Sequence, residues 1–275
     1  MPARQRTTSN GRTQDRGVVP VLEARPGGAA RRFAASMAGK HPAAVFFAAV
    51  LAGYVVLAGL AVLLGVFVTD VLVHTGGIGG ADESAVESLT RERTGFLTGL
   101  SSVGSTLGGA PLLPILVGLI GIVCAIERKW RIAAFAVLVL LVESATYRVA
   151  SIVVPRDRPH VARLENLPAD ESYPSGHTAA SLAVYCGLVL LLTSAFPERR
   201  WRVAAWVIAL LLPVFVAFSR MYRGMHHPRD VGAGALIGIG AVVVLLFACR
   251  AAGVAAPARA PAGGARHLLR RPIPS

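Results

Sequence analysis

Charge is scarce in this chain: only 16% of its 275 residues are Asp, Glu, Lys or Arg, whereas soluble domains carry roughly 25%. With 54% hydrophobic residues and a mean hydropathy of +0.58, a soluble fold of this size would lack the polar surface to cover itself. Cysteine is scarce too. Cys124, Cys186 and Cys249 lie in apolar stretches with no CxxC pair, so they read as small hydrophobes rather than as a disulfide or metal framework. Acidic residues number 15 against 28 basic ones, a net charge of +13. That excess would point to nucleic acid if the arginines shared one face of a globular domain. Instead they sit in an N-terminal tail (Arg4, Arg6, Arg12, Arg16, Arg25, Arg31, Arg32), in short clusters between apolar runs, and in a C-terminal tail (Arg259, Arg266, Arg270, Arg271). Basic residues so placed fix the orientation of a membrane protein and meet anionic head groups. Membrane lipids are therefore expected as partners, and nucleic acid is not.

What is present in abundance is apolar sequence in long runs. Six stretches, at about 44–69, 110–127, 132–154, 178–196, 203–219 and 230–249, are each near the roughly 20 residues that cross a bilayer as a helix. The fold expected is all-α, an integral membrane bundle of six transmembrane helices. Between the first two runs, Val86, Leu89, Phe96, Leu97 and Leu100 recur at helical spacing among Asp82, Glu83, Glu87 and Glu92, which predicts an amphipathic surface helix. Residues 1–42 and 252–275 are rich in Arg, Gly, Ala and Pro without a sustained period and read as disordered basic tails flanking a membrane domain over 43–251. The short loops at 127–131 and 198–202 are basic, as are both tails, so all four are assigned to the cytoplasm. The loops at about 155–177 and 220–229 then share the extracytoplasmic face of a cell membrane although both carry arginines. Arginine kept on that face against the usual charge bias implies chemistry.

Two histidine motifs stand in those loops. Pro174-Ser175-Gly176-His177 opens the fourth run: Ser175 suits an N-cap, Gly176 permits close approach to the backbone, and a helix start offers unpaired N–H groups to an anion. In the second loop Pro228 starts a helix, which places His226 at its mouth and Asp230 about one turn further in. A carboxylate there can fix one imidazole nitrogen and leave the other as nucleophile or base. Arg156, Arg158 and Arg220 accompany the histidines, and the planar guanidinium fork matches phosphate oxygens. Taken together these residues describe a pocket for a phosphoryl group.

These motifs closely resemble those of the type 2 phosphatidic acid phosphatase superfamily, which also contains undecaprenyl diphosphate phosphatases, glucose-6-phosphatase and vanadium haloperoxidases. Its second motif, Pro-Ser-Gly-His, stands at Pro174 to His177, and its third, Ser-Arg-x5-His-x3-Asp, runs from Ser219 and Arg220 through His226 to Asp230. Of the first, Lys-x6-Arg-Pro, Arg158 and Pro159 are present but Ser151 holds the place of the lysine. The resemblance implies that His226 attacks phosphorus, Asp230 orients it, and His177 protonates the leaving group. Arg158, Arg220, Ser175 and the Gly176 amide would hold the phosphoryl oxygens, with Arg156 or Arg148 in place of the missing lysine. It also implies a lipid phosphate or diphosphate substrate and no cofactor or metal. Magnesium-ligand spacing of Asp and Glu is not visible in the outer loops, and an arginine-rich site can stabilise phosphoryl transfer by itself.

Other readings remain. A phosphotransferase would use the same site with a different acceptor, and a transporter would also carry charged residues beside membrane helices. Glu143, well inside the third run, is expected to pair with an arginine near the site. Gly234-x3-Gly238 in the sixth run offers a face for a homodimer or for close packing within the bundle. High Ala, Gly, Arg and Val content suggests a GC-rich bacterial genome.

Overall fold

A computed structural model describes residues 19–72, 78–194, 196 and 198–256. Its helices are α1 (Ala29–Ser36), α2 (Pro42–Val66, running on through a π turn to Leu72), α3 (Ile78–Arg91), α4 (Gly95–Gly108), α5 (Leu112–Ile126), α6 (Trp130–Val153), α7 (Gly176–Thr193), α8 (Arg199–Tyr222) and α9 (Pro228–Ala255). Six stretches are long and apolar enough to cross a membrane: Pro42–Val71, Gly95–Ile126, Trp130–Val153, Gly176–Thr193, Arg199–Tyr222 and Pro228–Ala255. The chain is an all-helical integral membrane bundle.

Lipid-facing and protein-facing positions divide by size. On α2 the exposed residues include Phe47, Leu51, Val55, Leu60 and Leu63, while Ala49, Ala58, Ala61 and Gly65 are enclosed. Large side chains meet lipid, and small ones let neighbouring backbones approach, because lipid tails offer no hydrophobic reward for turning leucine inward. α7 is the innermost span, 56% buried against 17% for the first span, and it packs on α6, α8 and α9. The glycine pair of α9 serves this packing within the chain. A Cβ at Gly234 would lie 2.4 Å from the Ser175 carbonyl oxygen, and one at Gly238 would lie 2.6 Å from that of Ala179.

Two expectations are corrected. The segment over 19–41, assigned to a disordered tail, is structured: Leu22 is buried, and α1 sets Ala30 and Ala34 against Val45 and Ala251. Phe33 meets Phe247 edge to face, and Arg131 donates to the carbonyls of Leu22 and Cys249 and pairs with Glu23. An apolar face spread thinly through an Ala- and Arg-rich stretch is enough to dock it, because α9 already presents a matching surface. Residues 1–18 and 257–275 lie outside the described residues.

The segment between the first two apolar runs is two helices, not one. Phe96, Leu97 and Leu100 belong to α4, the first half of the second span, which breaks at Gly109–Pro111 before α5. Its Gly, Ser and Thr content reads as polar, yet Ser101, Gly104, Ser105 and Gly108 face protein rather than lipid. α3 is the helix that remains between the spans. It lies against α8 and α9 with Val86 and Asp82 both buried, so its inward face is part apolar and part acidic.

The ends of α6 and α8 and the starts of α7 and α9 meet at one end of the bundle, joined by the backbone bond from Ser175 N–H to the Asp230 carbonyl, 2.9 Å. The basic turns at 127–131 and 198–202 and the 19–36 segment lie at the other.

Candidate active site

Just past the end of α8 stands Gly224 at φ +71, where the N–H groups of Arg223, Gly224 and Met225 return to the carbonyls of Ser219, Met221 and Arg220. Glycine adopts this left-handed backbone without a Cβ penalty. The reversal drops His226 into the interior, 3% exposed, just before Pro228 starts α9. Its Nδ1 lies 2.7 Å from the Ser172 carbonyl oxygen. A carbonyl only accepts, so Nδ1 carries the proton and Nε2 keeps its lone pair. Burial first, then the charges of Arg220 and Arg158, holds the imidazole well below its ordinary pKa, which leaves it neutral at pH 7.

His177 stands in the first turn of α7, and the two imidazoles line one cavity of about 290 Å³ together with Arg158, Arg220, Gly176, Tyr147 and Glu143. Gly108 and Gly109 form part of its wall, and a Cβ at Gly109 would sit 2.7 Å from His177 Nε2. Leu113, Pro114, Leu140 and Ala180 give the same cavity an apolar side.

Arg220 is fully buried. Its Nη1 donates to Ser105 Oγ at 2.6 Å and to both oxygens of Glu165 at 2.8 and 2.9 Å, whereas Nε and Nη2 are buried without a partner among the described residues. Arg158 is anchored by Nε to the Pro168 carbonyl at 2.7 Å and by Nη1 to the Met225 carbonyl at 2.5 Å. Glu165 also accepts from Arg223 Nε at 2.6 Å. Burial opposes its ionisation, but the Arg220 charge and the bonds from Arg220, Ser105 and Arg223 outweigh that and bring its pKa down to about 2. One wall of the cavity thus carries guanidinium N–H groups, which is the requirement for a phosphoryl anion.

Several expected site residues are elsewhere. Among the described residues Asp230 makes no hydrogen bond to His226: it accepts from Ser172 Oγ at 2.6 Å and from His227 N–H at 2.9 Å, and it pairs with Arg156. Ser172 stands between, its hydroxyl on Asp230 and its carbonyl on His226. Arg156 is committed to Asp230 and Asp82 and does not line the cavity. Its shift is upward, since Asp230 and Asp82 outweigh the effect of burial. Arg148 pairs with Glu171 at the surface, so neither arginine takes the place of the missing lysine in the cavity. Ser175 is enclosed behind the helix start, and its Oγ bonds Thr178 Oγ1 at 3.0 Å instead of capping a backbone N–H. Among the described residues Glu143 has no arginine partner. One oxygen accepts from Ser144 Oγ at 3.0 Å and the other is buried without a partner beside the cavity.

Ser105, Glu165, Ser172, Gly108 and Gly109 were not legible as site residues. The glycine pair ahead of Pro111 was the one available signal, and nothing in spacing links Glu165 to α4 and α8.

With this geometry in place, residues 130–252 match the family described as the PAP2 superfamily. The match runs from the start of α6 into α9, and over it the chain is similar to that family. Over 108 residues it is 37% identical to an undecaprenyl-diphosphatase of Sulfolobus acidocaldarius, a match covering 39% of this chain and 48% of that protein. It therefore spans about half the length of that relative. Over 168 residues it is 27% identical to phosphatidylglycerophosphatase B of Bacillus subtilis, covering 61% of this chain and 82% of that one. Among solved structures its fold is similar to a transmembrane PAP2 type phosphatidylglycerolphosphate phosphatase from Bacillus subtilis, with a TM-score of 0.58 and 24% identity over 74% of this chain and 93% of the other. The PAP2 match contains both histidines, Arg158, Arg220 and Asp230, but α3 and α4, with Asp82, Glu83 and Ser105, lie ahead of it.

Proposed function

We propose that this protein is a membrane phosphatase of the PAP2 type that hydrolyses a lipid phosphate or lipid diphosphate through a phosphohistidine on His226, in a pocket on the extracytoplasmic face. One observation carries the reading: two imidazoles from separate segments line a single cavity beside a buried arginine with two unpartnered nitrogens. In this scheme Nε2 of His226 attacks phosphorus as the bond to the leaving oxygen breaks, and His177 gives that oxygen a proton. Arg158, Arg220 and the Gly176 amide hold the oxygens of the transferring group, whose charge they stabilise without a metal. His177, now unprotonated, takes a proton from water as that water attacks the phosphohistidine, which releases phosphate and restores both rings.

The apolar side of the cavity, with Leu113, Pro114 and Leu140, suits the lipid part of such a substrate. The names of the two relatives supply the class: a polyprenyl diphosphate and phosphatidylglycerophosphate. The basic turns at the opposite end of the bundle support an outward-facing site.

Phosphate release by purified protein in detergent tests the proposal against phosphatidic acid, phosphatidylglycerophosphate and a polyprenyl diphosphate. At least one should be hydrolysed, undiminished by chelator, and His226→Ala should lower the rate by about 10³-fold or more. Equal rates from wild type and variant would end the proposal. Recovery of the phosphoryl group on an added alcohol in place of free phosphate would make the protein a phosphotransferase.

A further inference from the structure

α3 lies wholly ahead of the PAP2 match, yet two adjacent side chains on it reach the support of the nucleophile from two sides. Asp82, 4% exposed, accepts from Arg156 Nη2 at 2.8 Å and from Arg229 Nη1 at 2.9 Å. Glu83 faces His227 Nε2 at 3.1 Å with one oxygen and accepts the His160 N–H at 2.6 Å with the other. Arg156 and His227 both end on Asp230, Arg156 on Oδ1 and His227 on Oδ2, through its backbone N–H at 2.9 Å and its Nδ1 at 3.2 Å. Asp230 Oδ2 also receives the Ser172 hydroxyl at 2.6 Å, and the Ser172 carbonyl receives His226 Nδ1–H at 2.7 Å. Two routes thus run from α3, Asp82–Arg156 and Glu83–His227, and they converge on Asp230 and pass through Ser172 to His226.

We propose that Asp82 and Glu83 are positioning residues for the nucleophile. The proposal rests on the phosphatase reading for its catalytic meaning and on the contacts above for its geometry. Neither acid lines the cavity, so neither touches substrate. Their effect is on aim. Without them Arg156 and His227 each lose a carboxylate, both turn more fully on Asp230, and the Ser172 peptide that sets the His226 ring moves with it. A reacting atom displaced by about 1 Å costs on the order of 10²-fold in rate. Phosphate binding should be spared, because Arg158 and Arg220 are held by Pro168, Met225, Ser105 and Glu165, a separate set of partners.

The test compares wild type, Asp82→Asn/Glu83→Gln and the conservative Asp82→Glu in detergent, with kcat and KM measured on a hydrolysed lipid phosphate. Orthovanadate, a phosphate mimic, counts the intact sites. The double variant should lose about tenfold to 10²-fold in kcat, with KM and the number and affinity of vanadate sites within about twofold, and Asp82→Glu should recover most of the loss. A kcat within twofold of wild type, or a fall in vanadate sites proportional to the fall in kcat, overturns the proposal. Histidine-ring 15N NMR reads the same claim without turnover, with the His226 resonance assigned by its loss in His226→Asn. The double variant should shift that resonance, and an unmoved signal sinks the positioning role even if wild type hydrolyses nothing. Absence of phosphate release from wild type with a shifted resonance would instead count against the phosphatase reading alone.

Discussion

Arg220 divides its guanidinium: Nη1 holds Glu165 and Ser105, while Nε and Nη2 have no partner among the described residues and are, in the proposed scheme, the groups that meet the anion. His226 is divided in the same way, with Nδ1 fixed by a carbonyl and Nε2 free. His177 has a plainer neighbour, the wall at Gly109, whose φ of −118 any residue can adopt. Gly109→Ala should therefore fold normally but push the His177 ring tip aside, lowering kcat by about tenfold or more with little change in melting temperature. Unchanged kcat would mean that His177 does not act from its observed place. Imidazole and guanidinium side chains at helix mouths beside lipid were legible in the sequence because they are costly there without a use. Which of two neighbouring arginines faces the cavity was not. Arg156 and Arg158 are separated by one residue, and the first of them is held by the carboxylates of Asp82 and Asp230, both distant in sequence.

At the scale of elements, spans were legible from apolar length alone, and their packing was legible only in part. α4 escaped because its small polar residues face α8: a Cβ at Gly104 would lie 2.0 Å from Ser219 Oγ, so the motif serine marks a helix crossing. α9 meets α7 as closely. Since the obstacles there are backbone carbonyls, Gly238→Leu should destabilise the fold by about 1–3 kcal/mol, the usual cost of overpacking. Thermal unfolding in detergent would show it, and an unchanged midpoint would mean that the helices are further apart than described. The loop bearing Glu165 joins α4 to α8 through charge. Its depressed pKa sets the sign: the stabilisation is fully present above the ordinary carboxyl value of 4.5 and is lost as pH falls through about 2. Between pH 5 and pH 3 wild type should lose more thermal stability than Glu165→Gln, and parallel losses would remove Glu165 from that role.

For the whole molecule, a membrane bundle gathers its costly groups at one end. The fold class and the two histidine motifs could be read from composition, hydropathy and spacing, and the motifs in turn carried the family resemblance. Where the acidic helix α3 docks could not be read, because the partners of Asp82 and Glu83 lie 74 and more positions away and no local period encodes them. The same holds for the docked N-terminal segment, whose apolar residues gain meaning only against α9. The central claim is that His226 and His177 serve one phosphoryl group from opposite sides. Its most direct measurement is acid-stable or base-stable trapping of radiolabel from a lipid phosphate labelled in the transferred group. Wild type should carry base-stable, acid-labile label on His226, and His226→Ala should carry none. Label on any other residue, or phosphate release by His226→Ala at the wild-type rate, would contradict it.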